Sequence, residues 1–243
     1  MKTEMKHALY ITCYNHVEML KRLLTSGLLQ RVNREQWQVY LFDQSTDPHV
    51  TQYAELAQEL KLQHVINKNQ GASAAKRGQI THALENGHEI MAQISEDFRI
   101  CNGTPPASWL PTGNQTFFTD AYKVLKARPQ LAFVNWTFAR LHESDFWNSY
   151  QSKATNLTLH KVSDLAHVEG DVMCLGWPYT ARTRRLAKLL IDVQAPHHDE
   201  MLKRPDGGEG VLACLSLGQG ASLFAQPVVH DRPEHLRPPD RLP

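Results

Sequence analysis

The sequence has few cysteines, and no two of them form a C-x-x-C pair. The four cysteines are Cys13, Cys101, Cys174 and Cys214. Their wide spacing argues against a zinc ribbon or a dithiol redox motif and suits a reducing compartment. The chain also lacks an apolar run near the roughly 18 residues of a spanning helix and an apolar leader segment. We therefore expect a cytoplasmic protein without a membrane span.

An excess of charge of one sign is missing as well. The 26 Lys and Arg residues nearly balance the 25 Asp and Glu residues, and the formal net charge is +1. This balance excludes the global field that drives binding to nucleic acids or membrane surfaces, although not a local basic patch. The 243 residues suffice to bury a sizeable core, and one α/β domain is the simplest organisation.

The first hundred residues alternate between short apolar runs rich in β-formers and segments of helical periodicity. The predicted strands are His7–Tyr14, Trp37–Phe42, Gln63–Ile66 and Glu89–Ile94. Three helices are predicted in the same stretch. The first begins at Asn15, the second runs from about Val50 to Leu60, and the third runs from Ala72 to Glu85. Such alternation implies an open, mostly parallel sheet with helices on both faces.

The remainder of the chain is less regular, and the segment 140–170 has weak periodicity that suggests a variable excursion. The predicted elements here are a helix over Thr119–Ala127, a strand over Leu131–Trp136, a strand over Val172–Trp177, a helix carrying Arg182, Arg184 and Arg185, a helix over Val211–Leu217 and a strand over Ser222–Ala225.

Polar side chains stand at the predicted carboxyl ends of the strands, where parallel sheets bind their ligands. They are Tyr14, Asp43, Asn69 and Asp97. The acidic pair Glu96 and Asp97 closes an apolar run, and burying carboxylates is costly unless a cation or donors compensate. Oxygen ligands suit Mg²⁺ or Mn²⁺. The alternatives are a solvated loop for the pair, and turn formation or helix capping for Asp43 and Asp47.

The order of several short motifs from Tyr10 to His230 resembles the family 2 glycosyltransferases, which have the GT-A fold. The similar segments are Ile11–Asn15 (T-x-Y-N), Leu41–Asp47 (D-x-S-x-D), Asn69–Gly78 (N-x-G-x-x-x-A-R-N-x-G), Ser95–Asp97 (D-x-D), Gly208–Gly210 (E-D) and Val229–His230. The resemblance implies one nucleotide-diphospho-sugar transferase-like domain over residues 1–243. Residues 7–104 would bind the nucleotide sugar, residues 105–230 the acceptor, and 231–243 form a Pro- and Arg-rich tail.

The same resemblance implies a set of site residues. Those expected to bind the nucleotide sugar are Thr12, Tyr14, Asn15, Asp43, Ser45, Asn69, Gly71, Lys76, Arg77 and Glu96. Asp97 and His230 are expected to hold Mn²⁺ or Mg²⁺. For one of Lys76 and Arg77 a solvated helix face remains the alternative, and for His230 a structural role.

The chain departs from the family pattern at two positions. Ser95 stands where the metal motif usually begins with aspartate, which predicts a metal that is either weakly held or bound mainly through Asp97 and the diphosphate. Gly210 replaces the aspartate that usually acts as base, so Glu209 is the candidate base, with Asp199 and Glu200 as rivals.

The expected activity is metal-assisted, inverting transfer from a nucleoside-diphosphate sugar, UDP-linked by preference. The sequence does not decide which molecule carries the acceptor hydroxyl. The four alternatives are a glycan, a lipid-linked sugar, a protein and a modified base in DNA. A non-catalytic nucleotide-sugar-binding protein is the alternative. A nucleotidyltransferase ranks last, because the loop after the first strand, Thr12–His16, contains no glycine.

Overall fold

The computed structural model describes residues 7–67, 72–100, 117–136, 139–140, 158–163, 165–170, 178–189, 219–223 and 228–230. The helices of these ranges are α1 (Val17–Thr25), α2 (His49–Glu59), α3 (Ala72–Glu85), α4 (Phe117–Ala127) and α5 (Thr183–Ala187). The strands are β1 (His7–Cys13), β2 (Trp37–Asp43), β3 (Gln63–Ile66), β4 (Ile90–Ser95), β5 (Phe98–Ile100), β6 (Phe133–Trp136), β7 (Ala139–Arg140), β8 (Thr158–Val162), β9 (Leu165–Gly170), β10 (Tyr179–Arg182), β11 (Gly220–Leu223) and β12 (Val228–His230). None of the described helices is long and apolar enough to cross a membrane.

The first four strands of the main sheet are parallel, as the alternating sequence pattern predicts. Their order is β3-β2-β1-β4, with β1 pairing in parallel with both β2 and β4. Each is joined to the next by a helix, and such crossovers are what parallel neighbours require. The prediction for this half of the sheet is confirmed.

The sheet continues in mixed orientation beyond β4. In the described residues its full order is β3-β2-β1-β4-β10-β6-β11-β9-β8. Strand β10 is antiparallel to both β4 and β6, β11 is parallel to β6, and β9 is antiparallel to β11 and β8. The sheet is therefore mixed rather than parallel throughout.

In the second half of the chain, two details differ from the sequence predictions, and some of the predicted elements are not tested. Arg182 ends β10 instead of lying on a helix, and α5 begins at the next residue, Thr183. Part of the predicted excursion over 140–170 forms the hairpin of β8 and β9. The predicted elements over Val172–Trp177 and Val211–Leu217 lie outside the described residues.

Alternation along the strands divides the core into two layers. Leu9 and Ile11 of β1 pack with buried residues of α1, α2 and α4, whereas Ala8 and Tyr10 pack with buried residues of α3 and α5. Successive side chains of a strand point to opposite faces, so β1 contributes to both layers. Helices therefore cover both faces, as predicted.

A second, three-stranded sheet brings the end of the described chain next to the acidic turn. Its order is β5-β12-β7. Strand β12 is antiparallel to β5, and His230 pairs with Phe98, the residue that follows Asp97. The backbone of residue 230 thus returns across more than 130 residues of sequence to the turn between β4 and β5.

Candidate functional site

The carboxyl ends of the parallel strands meet at one edge of the sheet. Cys13 is in register with Asp43, Asp43 with Ile66, and Thr12 with Ser95. The loops that leave β1, β2 and β4 therefore start side by side. The predicted proximity of the segments after residues 13, 43 and 95 is confirmed, whereas the roles of their side chains remain predictions.

Asp43 is fully buried at this edge and both of its carboxylate oxygens accept hydrogen bonds. Oδ1 accepts from the backbone N–H of Ser45 at 2.8 Å, and Oδ2 lies 2.9 Å from Nε2 of His64. The turn-forming role considered for Asp43 is thus present. The protein therefore orients the Asp43 carboxylate before any ligand contacts it.

His64 is a partner of Asp43 that the sequence does not reveal, and its replacement should destabilise the protein. Its side chain is 14% exposed. We expect His64→Leu to lower the free energy of unfolding by about 1–3 kcal/mol, because a buried carboxylate oxygen loses its donor. Urea unfolding measures this loss. His64→Gln, whose amide can donate in place of the imidazole, should recover part of it, and equal stability of the Leu variant and the wild type would contradict the prediction.

Glu96 is buried directly after β4, and both of its carboxylate oxygens accept hydrogen bonds from other residues of the protein. Oε1 accepts from the backbone N–H of Tyr14 at 2.7 Å, and Oε2 accepts from the hydroxyl of Tyr53 at 2.5 Å. Burial raises the pKa of Glu96 to about 8, against the two hydrogen bonds that lower it. Burial likewise raises the pKa of the Tyr53 phenol well above its usual range, so that this hydroxyl stays protonated.

Asn15 and Ser45, both predicted to contact the nucleotide, tie two loops of the site together. Ser45 Oγ accepts from the backbone N–H of Asn15 at 2.8 Å, and Asn15 Oδ1 accepts from the backbone N–H of Thr46 at 3.0 Å. The loop after β1 is therefore fixed to the loop after β2 by reciprocal side-chain contacts.

A second cluster of polar side chains lies between the sheet and α3, on the face of the sheet that α3 covers. The Thr12 hydroxyl accepts from the side-chain amides of Gln79 at 2.9 Å and of Gln93 at 2.8 Å. Thr12 is itself 7% exposed, so its hydroxyl is engaged inside the protein.

Lys76 belongs to the sheet-facing side of α3. It stands three residues before Gln79 and is 1% exposed, whereas its neighbour Arg77 is half-buried. Lys76 therefore does not lie on a solvated helix face, and for Arg77 that alternative stays open. Because α3 returns antiparallel to the strands, its first turns lie at the same edge as Asp43, and side chains of a helix tilt toward its N-terminus. Both observations suit a cation directed at that edge.

Gly78 allows α3 to approach the sheet closely. A Cβ atom at this position would lie 3.0 Å from Cζ of Phe42 and 3.2 Å from Nδ2 of Asn67. Gly78, the last residue of the N-x-G-x-x-x-A-R-N-x-G-like segment, is therefore needed for the close packing of α3 against the end of β2.

The residues around Asp97 fit a cation that takes most of its ligands from a substrate. Asp97 is half-buried in the turn between β4 and β5, beside the backbone of His230. Glu96 has both oxygens engaged, and no cluster of three or more metal-binding side chains occurs among the described residues. Mg²⁺ and Mn²⁺ sites commonly combine one or two carboxylates with phosphate oxygens, so a single carboxylate is consistent with such a site.

Several predicted site residues lie outside the described ranges. They are Asn69, Gly71, the candidate base Glu209 and the rivals Asp199 and Glu200. For His230 the strand is described but the side chain is not.

Four residues of the site escape prediction: Tyr53, His64, Gln79 and Gln93. Each sits inside a helix or strand pattern, and each meets its partner across 21 to 81 residues of sequence. The one available signal is a polar side chain at a position that the periodicity places inside, as for Gln79 and Gln93.

Comparison with solved structures finds the same fold in glycosyltransferases. S. aureus TarS has a TM-score of 0.58 at 15% identity over 94% of this chain and 37% of its own. TarS 1-349 in complex with UDP-GlcNAc has a TM-score of 0.59 at 14% identity, over 95% of this chain and 59% of its own. GalNAc-T7 with UDP, GalNAc and Mn²⁺ has a TM-score of 0.59 at 10% identity, over 98% of this chain and 46% of its own.

These likenesses define the fold class. The chain has the α/β fold of the GT-A glycosyltransferases that its motif order predicts, with a central sheet that is mixed and not mostly parallel. It spans between 37% and 59% of the length of the three proteins compared. No family model matches the sequence, and no curated protein matches it.

Proposed function

We propose that this protein is a glycosyltransferase that moves a sugar from a UDP-linked donor to an acceptor hydroxyl. The observation that carries the proposal is the convergence of Asp43, the Tyr14 loop and Asp97 at the carboxyl edge of a GT-A sheet. Its support is the shared fold of TarS, crystallised with UDP-GlcNAc, and of GalNAc-T7, crystallised with UDP and Mn²⁺.

Nucleotide binding falls to the first half of the chain. Asp43 accepts a hydrogen bond from the base or ribose while Ser45 and His64 hold its carboxylate in place. Tyr14 lies beside the ring. The buried Lys76 and the half-buried Arg77 supply positive charge for the diphosphate.

Transfer requires charge stabilisation on the leaving diphosphate and a base for the acceptor. Mn²⁺ or Mg²⁺ held by Asp97 and His230 would neutralise that charge. The acceptor oxygen bonds to the anomeric carbon as the bond to the β-phosphate oxygen breaks, and the diphosphate leaves with the electron pair. Glu209, or its rivals Asp199 and Glu200, takes the acceptor proton. Direct displacement inverts the anomeric centre.

The test is binding and turnover of nucleotide sugars by the purified chain. We expect calorimetry with Mn²⁺ to show binding of UDP in preference to GDP and TDP, and UDP to be released from a UDP-sugar when a panel of glycans, lipid-linked sugars, proteins and modified DNA is offered. Absence of binding to all three nucleotides would overturn the proposal.

A non-catalytic nucleotide-sugar-binding protein is the second candidate. One structural observation favours it: both oxygens of Glu96 are engaged within the protein, directly after Ser95, which stands where the resembled metal motif has aspartate. Binding of UDP without turnover of any UDP-sugar across the acceptor panel would support this candidate over the enzyme.

A further inference from the structure

Three consecutive backbone N–H groups of the loop between β1 and α1 are held by side chains from three other parts of the fold. The pairs are Tyr14 N–H with Glu96 Oε1 at 2.7 Å, Asn15 N–H with Ser45 Oγ at 2.8 Å, and His16 N–H with the Tyr53 hydroxyl at 2.9 Å. Helix α1 has no side-chain cap of its own. The acceptors come from the turn after β4, the loop after β2 and helix α2.

Tyr53 joins two of these contacts through one oxygen atom. Its hydroxyl accepts from His16 N–H and donates to Glu96 Oε2 at 2.5 Å. The side chain is wholly buried in the layer formed with α1 and β1. One helix is thereby linked both to the loop after β1 and to the acidic turn after β4.

One residue of the loop has a left-handed backbone. Asn15 has a φ of 56°, in a region that favours glycine and that asparagine adopts more readily than other residues. The contacts from outside the loop hold it in this conformation. A loop fixed before its ligand arrives binds without the entropic cost of ordering.

We propose that Tyr53 is a positioning residue for nucleotide binding, which together with Glu96 holds residues 14–16 in the conformation that receives the nucleotide. The inference rests on the proposed function. It assigns Glu96 to the loop and not to the cation, so that the two acidic neighbours have separate tasks: Glu96 shapes the nucleotide site with or without metal, and Asp97 acts only through the metal.

The test compares Tyr53→Phe with Tyr40→Phe. Tyr40 is also buried, and its hydroxyl lies 2.8 Å from Nε2 of His88, on the opposite face of the sheet. Tyr53→Phe loses two hydrogen bonds and Tyr40→Phe loses one, while both variants keep the ring. We expect Tyr53→Phe to raise the Kd for UDP about tenfold and to speed hydrogen exchange of the His16 amide, whereas Tyr40→Phe leaves both unchanged.

A second variant tests Glu96 separately and serves if Tyr53→Phe does not fold. Glu96→Ala should weaken UDP binding about tenfold both in Mn²⁺ and in EDTA, because the loop and not the cation is affected. Weakening confined to Mn²⁺, or an unchanged Kd in the Tyr53→Phe protein, would overturn the inference. A wild type that binds no UDP would instead overturn the proposed function, and the inference with it.

Discussion

Replacing Asp97 with asparagine is expected to abolish the effect of Mn²⁺ on UDP binding. The wild type should bind UDP about a hundredfold more tightly with Mn²⁺ than with EDTA, and Asp97→Asn should bind it equally in both. The physical reason is that the substitution removes a negative charge from the turn that His230 adjoins while keeping its shape. Because the side chain is only half-buried, the free energy of unfolding should change by less than about 1 kcal/mol.

The measurement is a pair of calorimetric titrations for each protein, with transferase activity as a second readout. Activity in Mn²⁺ should fall at least a hundredfold, in proportion to the lost charge stabilisation. Glu18→Gln is the matched control, since its carboxylate is 71% exposed on α1 and pairs with Lys21 of the same helix. If Asp97→Asn kept the Mn²⁺-dependent tightening, the cation would have to bind elsewhere and the assignment of Asp97 would be wrong.

The first half of the fold could be predicted because its signals are local. The helix Ala72–Glu85 and the strand Gln63–Ile66 have the predicted bounds, and the strand from His7 ends one residue earlier than expected. Strands β1, β2 and β4 are buried, and β1, β2 and β3 are each followed by a helix, so periodicity and turn residues specify both the elements and their parallel order.

The second half depends on pairings that the local pattern does not carry. Strand β10 enters between β4 and β6 in antiparallel orientation, and nothing within Tyr179–Arg182 specifies either neighbour. Strand β8 lies at the edge of the described sheet, where most of its side chains are exposed, so it lacks the alternation of a half-buried strand.

The site divides in the same way. A topological rule places ligands at the carboxyl ends of parallel strands, and from this rule the sequence predicts Asp43 and Asp97 as site residues. The Tyr53 hydroxyl reaches Glu96 across 43 residues, and a tyrosine at a buried helical position ordinarily indicates packing alone. Supporting residues of this kind become visible only when the helix has been placed on the sheet.

Glu96 should make the stability of the metal-free protein decrease with rising pH. Burial raises the pKa of this carboxyl to about 8 in the folded protein, from an ordinary value of 4.5. Its contribution is therefore fully present below about pH 4.5 and is lost as the pH rises through 8, because in that window unfolding releases the proton. The slope approaches about 1.4 kcal/mol per pH unit, and it ends above the folded pKa, where both states are ionised.

Urea unfolding from pH 5 to 9 in EDTA, for the wild type and Glu96→Gln, isolates this contribution. Other groups titrate in the same window, since burial lowers the pKa of His7 and of His82, so the difference between the two proteins is the informative quantity. That difference should fall steadily to about pH 8 and then level off. A difference that instead stayed constant or rose with pH would mean that the hydrogen bonds from Tyr14 and Tyr53 outweigh burial, and that Glu96 is ionised in the folded protein at neutral pH.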